Sequence, residues 1–220
     1  MQKTFFNIRN IIFDLDGTIV DSKKDIATAQ LLVLQDYGIN NISENELYPH
    51  IGKSLHETFS SLLPLELHSK LDEASEKYTE YYVPNSLKTT TLFPSVFDLL
   101  NILSQNNFKM AIATTKRGSG ALRATNHFGI TNYFSQIQGS DNIPFKPNPT
   151  IINLILEKQN WKNEETIIVG DTDKDILVGK NSEISTCGVT WGAMNFEELQ
   201  KFNPDIIINN PLELITYLIK

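Results

Sequence analysis

The chain contains one cysteine, Cys187, in 220 residues. An intrachain disulfide is therefore impossible, and a disulfide-stapled secreted scaffold is excluded. Long apolar runs are also missing. No stretch approaches the roughly 18 consecutive apolar residues of a membrane span, so no membrane partner is expected. The opening MQKTFFNIRN brings charge before any apolar segment can form. No secretory signal is expected, and the chain reads as cytoplasmic. An excess of basic residues is lacking too: 19 Lys and Arg stand against 26 Asp and Glu, for a formal net charge of -7. Nucleic acid is correspondingly not expected as a partner, because phosphate backbones are met by clustered cations. A small anionic substrate stays open, since a metal ion or a few local cations can dominate one site. There is no internal repeat, no low-complexity tract and no P-loop. His50, His68 and His127 show no metal-ligand spacing. Monomer and homodimer are equally compatible with this composition.

What is present is a regular alternation. With 40% hydrophobic residues the chain can bury a sizeable core. Short β-branched strands are expected at Asn10 to Asp14, Lys109 to Thr114, Thr166 to Gly170, Ser185 to Thr190 and Asp205 to Ile208, with a weaker one near Tyr133 to Gly139. Helical stretches lie between them, around Pro94 to Gln105, Gly118 to Phe128, Asn148 to Gln159, Lys174 to Asn181 and Pro211 to Ile219. TIIVG, from Thr166 to Gly170, is apolar throughout, as a strand covered on both faces should be. The pattern predicts an α/β fold with a Rossmann-like, three-layer α/β/α core around a parallel sheet.

The region from about Asp21 to Pro84 breaks this alternation. KKDIATAQLLVLQDYG places Ile26, Gln30, Leu31, Val33 and Leu34 near helical spacing and stops at Gly38. ELHSKLDEASEKYTEYYVP reads as a second long helix, ended by Pro84. An all-helical cap domain over residues 19–89, inserted into a core of residues 1–18 and 90–220, follows.

Three apolar strands end in polar residues. IIFDLDGT ends in Asp14 and Asp16, MAIATTK in Thr114 and Thr115, and TIIVGDTDKD in Asp171, with Asp173 and Asp175 following. An Asp pair after a strand is, alone, commonly a solvated loop. In an open parallel sheet, however, ligands bind beyond the carboxyl ends of the strands, so these distant groups could converge. Two acids from one strand and one or more from another suit Mg2+, which prefers hard oxygen ligands. Lys146, in PFKPNP, is held between prolines that restrict the backbone. Beside a phosphoryl group it would offset charge and keep a neighbouring carboxylate ionised. Asp173 reads as a helix N-cap, and Cys187 as a packed small hydrophobe. GSGALR, from Gly118 to Arg123, only half-matches a dinucleotide-binding turn, because Arg123 stands where the third glycine belongs.

FDLDGTIVDS, IATTK, KPNP and VGDTDKD, in that order, resemble the haloacid dehalogenase-like (HAD) hydrolase superfamily. The helical insert is similar to its C1-type cap, and the chain as a whole to phosphoglycolate phosphatase-like members. The resemblance implies a phosphatase acting on a small phosphorylated metabolite. Asp14 would be the nucleophile that forms an aspartyl-phosphate, and Asp16 the general acid and base. Mg2+ would be held by Asp14, the main-chain carbonyl of Asp16, and Asp171. Asp175 would hold the metal shell or Lys146, while Thr114 and Lys146 would bind phosphoryl oxygens. Two departures stand out. Thr115 replaces an Asn common after the threonine and would offer a hydroxyl to the phosphate instead. In the cap segment IGKSLHETF, Ser54, Leu55 and His56 replace a PLR-like stretch, which leaves Lys53 and His56 as the cap's candidates for substrate contact. A phosphomutase of the β-phosphoglucomutase type, and a pyrophosphatase or nucleotidase of the same fold, are the alternatives within the family. A non-catalytic binding protein is the alternative outside its chemistry. Asp16 speaks against dehalogenation, since dehalogenating members lack an acid there.

Overall fold

A computed structural model describes Phe5 and residues 7–219. The strands are β1 (Asn10–Phe13), β2 (Val20–Asp21), β3 (Thr91–Leu92), β4 (Lys109–Ala113), β5 (Phe134–Gln138), β6 (Thr166–Gly170), β7 (Ser185–Val189) and β8 (Ile206–Ile208). The helices are α1 (Lys23–Asp36), α2 (Glu44–Leu47), α3 (Leu55–Leu62), α4 (Leu71–Asn85), α5 (Val96–Gln105), α6 (Gly118–His127), α7 (Thr150–Gln159), α8 (Asp173–Asn181), α9 (Phe196–Gln200) and α10 (Glu213–Leu218). The chain divides into two compact units. One runs to Val20 and resumes at Leu92; the other is Asp21–Thr91. The crossings lie at β2 and β3, which form a separate two-stranded sheet.

The first unit is built on a six-stranded sheet in the order β5-β4-β1-β6-β7-β8. Every pairing in it is parallel. β1 lies between β4 and β6 and is buried along its whole length. Side chains alternate between the two faces of a strand. On one face Ile12, Ala111, Ala113 and Ile168 pack with Ile151, Ile152 and Ile155 of α7 and Val178 of α8. On the other, Ile11, Phe13, Met110, Ile112, Ile167 and Val169 are equally buried. Both faces are therefore covered, which is why these strands are apolar without alternation.

Several strands end one residue earlier than the sequence pattern suggests, leaving Asp14, Thr114 and Thr190 just outside them. Asp14 is still tied to the ladder, because its N–H donates to the Val169 carbonyl at 2.9 Å. Asp205 is not in a strand; its carboxylate accepts from the N–H and hydroxyl of Thr186, at 2.9 and 3.1 Å.

The second unit is helical. Ile26, Val33 and Leu34 of α1, Leu47 of α2, Phe59 of α3, and Leu71, Ala74, Tyr78 and Tyr82 of α4 form its core. Gly38, at φ +78, follows the end of α1 as expected. The expected helix from Glu66 to Pro84 is corrected at both ends. Leu65–Lys70 is a 3-10 helix, and α4 carries Pro84 inside it and ends at Asn85. A proline this near the end removes one N–H without unwinding the turn, and Ser86 still donates its N–H to the Tyr82 carbonyl at 2.7 Å. Ser54 is the N-cap of α3: it accepts from the Glu57 N–H at 3.1 Å, and Glu57 accepts from the Ser54 N–H at 2.9 Å. Among the described residues, no helix is long and apolar enough to cross a membrane.

Asp25, on the first turn of α1, ties the two ends of this unit together. It accepts from the N–H and hydroxyl of both Thr89 and Thr90, at 2.6 to 3.2 Å. Burial acts to raise its carboxyl, but the hydrogen bonds from Thr90 and Thr89 hold it below its ordinary 3.8. Its folded-state value lies below its unfolded one. Its stabilising effect is thus complete above the unfolded value and is lost as pH falls through the folded one. Asp25→Ala is expected to lower stability by about 2–3 kcal/mol at neutral pH, measured as a reduced urea midpoint, with the deficit shrinking in acid.

Candidate active site

The neighbouring strands β4, β1 and β6 deliver three of the expected residues to one edge. Phe13, the last residue of β1, is level with Ile112 of β4 and Val169 of β6. Asp14, Thr114 and Asp171 each follow the end of their strand directly. They therefore meet at the carboxyl edge of the sheet. Lys146 and Asp175 come to the same place from elsewhere. The Lys146 ammonium donates to Asp14 Oδ1 at 2.8 Å and to Asp175 Oδ1 at 2.7 Å, with only 3% of the residue exposed.

Asp14, Asp171 and Asp175 each bring a carboxylate oxygen within 4.8 Å of the others, and all are buried. Two of the three acids, Asp14 and Asp175, share the Lys146 ammonium. Burial carries the Asp14 carboxyl well above its ordinary value; Lys146 pulls it back, while Asp175 and Asp171 push it further up. Burial, followed by the charge of Asp175, pushes Asp171 up to about 7, against the hydrogen bonds it accepts. Burial acts to lower Lys146, but Asp14 and Asp175 outweigh this and hold it well above the ordinary lysine range. The Lys146 charge and hydrogen bond act on Asp14 in the expected sense, favouring the ionised carboxylate, against burial and the charges of Asp175 and Asp171. The donors present are hard carboxylate oxygens, which fits a divalent cation of the Mg2+ kind.

Asp171 and Asp175 are held differently. Thr18 donates its hydroxyl to Asp171 Oδ1 at 3.1 Å, and the Ala193 N–H donates to Oδ2 at 2.8 Å. Asp175 Oδ2 accepts from the Thr172 N–H and hydroxyl at 3.1 and 2.6 Å. It therefore anchors the start of α8 as well as Lys146. Thr172, not Asp173, is the N-cap residue of that helix.

Space around Asp171 is supplied by glycine. Gly17 has φ +90, and a Cβ there would lie 2.1 Å from Asp171 Oδ2. A Cβ on Gly192 would lie 2.3 Å from the Gly17 carbonyl oxygen and 2.4 Å from Asp171 Cβ. The Trp191 indole N–H donates to the Thr18 carbonyl at 3.0 Å. Sequence reasoning missed this loop after β7, because it acts mainly through main-chain atoms.

Asp16 takes a different direction from Asp14. Its carboxylate is outside the acidic group and meets the Lys116 ammonium at 3.2 Å. Lys116, which follows Thr114 and Thr115 directly, was also missed. Thr114 is buried, and its hydroxyl accepts the Lys116 N–H at 3.2 Å; Thr115 is half-buried beside it. In the helical unit, Lys53 and His56 are exposed around the start of α3. Lys53 Nζ lies 3.5 Å from His50 Nδ1, and Ser61 Oγ lies 3.1 Å from the same nitrogen. The buried thiol of Cys187 is pushed upward by burial, as befits a packing residue.

A family model for haloacid dehalogenase-like hydrolases matches residues 11–189. A phosphoglycolate phosphatase of Vibrio parahaemolyticus is 32% identical over 220 residues, with 95% of each chain covered. A pyrophosphatase, PpaX, of Listeria monocytogenes is 30% identical, with 94% of this chain and 95% of that one covered. A solved haloacid dehalogenase-like family hydrolase from Streptococcus pneumoniae superposes with a TM-score of 0.89 at 31% identity, covering 96% of this chain and 98% of that one.

The elevated Asp171 carboxyl has a measurable consequence. Its folded value, about 7, lies above its ordinary 3.8. The folded state binds more protons between these values, so this group's stabilising contribution falls as pH rises through that window. Without added divalent metal, Asp171→Asn is expected to gain stability relative to wild type between about pH 5 and about pH 8. Parallel thermal melts across that range provide the check.

Proposed function

The chain belongs to the haloacid dehalogenase-like hydrolase family, and from this we propose that it is a Mg2+-dependent phosphatase that hydrolyses a small phosphomonoester through an aspartyl-phosphate on Asp14. The observation that carries the reading is the buried group in which Asp14 and Asp171, at the ends of adjacent strands, meet Asp175 and Lys146. A cluster with more acid than base is a poor device for stability, because buried carboxylates are costly. It is a suitable one for receiving a cation together with a phosphoryl group.

In this reading a carboxylate oxygen of Asp14 attacks phosphorus as the bond to the leaving oxygen breaks. Asp16 passes its proton to that oxygen. A water molecule then gives a proton to Asp16 and attacks phosphorus, which releases phosphate and restores Asp14. Lys146, Thr114 and Thr115 orient the phosphoryl oxygens. The Thr114 hydroxyl already accepts the Lys116 N–H, so its own proton is directed elsewhere. Asp14, the Asp16 carbonyl and Asp171 would hold Mg2+, which would add positive charge beside that of Lys146. Asp175 holds Lys146 in place. The substrate is a small metabolite of the cytoplasm, and neither nucleic acid nor a membrane takes part. The leading substrate is 2-phosphoglycolate, after the Vibrio relative. Inorganic pyrophosphate is the second reading, because the Listeria relative is nearly as similar.

Hydrolysis of p-nitrophenyl phosphate is expected to require Mg2+ and to be abolished by chelation. Asp14→Asn should lower kcat by more than about 1000-fold, and equal rates for the two proteins would overturn the nucleophile assignment. Acid quenching during turnover should trap phosphate on Asp14, detectable by peptide mass spectrometry. A panel of 2-phosphoglycolate, pyrophosphate and sugar phosphates names the substrate. Isomerisation of a sugar phosphate without phosphate release would favour a mutase.

A further inference from the structure

We propose that Lys116 is a specificity-determining residue that binds a second anionic group on the substrate, a carboxylate or further phosphate a few bonds beyond the leaving oxygen. This rests on the phosphatase reading and on Asp16 as its proton donor.

The two lysines of the site stand at opposite ends of the bond that breaks. Lys146 is buried against the nucleophile Asp14 and against Asp175, so its ammonium belongs to the transferred phosphoryl group. Lys116 instead meets Asp16, the carboxyl that serves the leaving oxygen, at 3.2 Å. Any substituent carried on that oxygen lies nearer to Lys116 than to Lys146. Both side chains of the Lys116–Asp16 pair are 12% exposed, so the pair is sheltered yet open to a ligand.

The lysine is also held in place. Its N–H is bound by the Thr114 hydroxyl, and its carbonyl accepts the Ser140 N–H at 3.2 Å. The Ser140 hydroxyl donates to the Thr114 carbonyl at 2.8 Å, which closes the turn. The aliphatic stem passes over Gly120, where a Cβ would lie 3.2 Å from both Lys116 Cγ and Cδ. A fixed ammonium loses little freedom when an anion reaches it, which favours selectivity.

The test compares 2-phosphoglycolate with the monophosphate of ethylene glycol, which has the same chain length but a neutral hydroxyl in place of the carboxylate. Wild type should favour 2-phosphoglycolate by about tenfold or more in kcat/KM. Lys116→Met should cut that ratio at least about tenfold, chiefly through KM, and Lys116→Arg should restore part of it. A ratio near one in wild type overturns the proposal even if the variants fail to fold. So does an equal loss for both esters in Lys116→Met, which would mean that the lysine only steadies Asp16. If wild type hydrolyses neither these esters nor p-nitrophenyl phosphate, the phosphatase reading fails first and this role fails with it.

Discussion

Placing three carboxylates within reach of one another, two of them on one buried ammonium, is the constraint that organises this protein. In water the acids would separate or stay hydrated. Here the ends of β1 and β6, and the first turn of α8, fix them within a few ångströms. The sheet must be apolar on both faces to hold those ends so rigidly. The flanking loops must then provide N–H and hydroxyl donors for oxygens that Lys146 does not reach. Thr18, Thr172 and Ala193 provide them. Burial raises the carboxyls of both Asp14 and Asp171, the residues assigned to the chemistry.

The helical unit follows a different logic. It has its own core, with Phe59, Tyr78 and Tyr82 arranged edge to face and stacked. Its ends are drawn together by Asp25 and the threonines at 89 and 90. Such a unit can change its outward-facing residues without disturbing the acid cluster in the first unit.

Much of this was legible in the sequence, for identifiable reasons. Parallel strands begin and end in register, so Asp14, Thr114 and Asp171 could be assigned to one edge once their strands were seen. The apolar character of TIIVG signalled two covered faces. Asp175 was legible as a partner of Lys146, but not as the carboxylate that also holds Thr172. Other features were hidden because they have no signature in side-chain type. The Ala193 donor is a main-chain N–H, available on almost any residue. Lys116 lay in plain view in IATTK, yet only the turn closed by Ser140 directs it to Asp16. Pro84 misled because the rule that proline ends helices concerns the lost N–H, and one lost bond near a terminus is tolerated. Ser54 looked like a departure from a substrate-facing stretch and is the cap of α3.

The contact of Gly192 with Gly17 carries a consequence for how the molecule can be divided. All the acids and both site lysines occur before Lys180, so a chain ending after β6 and α8 would retain every group named in the chemistry. It would still be incomplete. The backbone at Gly192 is the wall against which the Gly17 turn and Asp171 rest, and the next residue supplies one of the hydrogen bonds that hold that carboxylate. The last fifth of the sequence therefore acts as a clamp on the first, and the smallest working unit extends well beyond the residues that react.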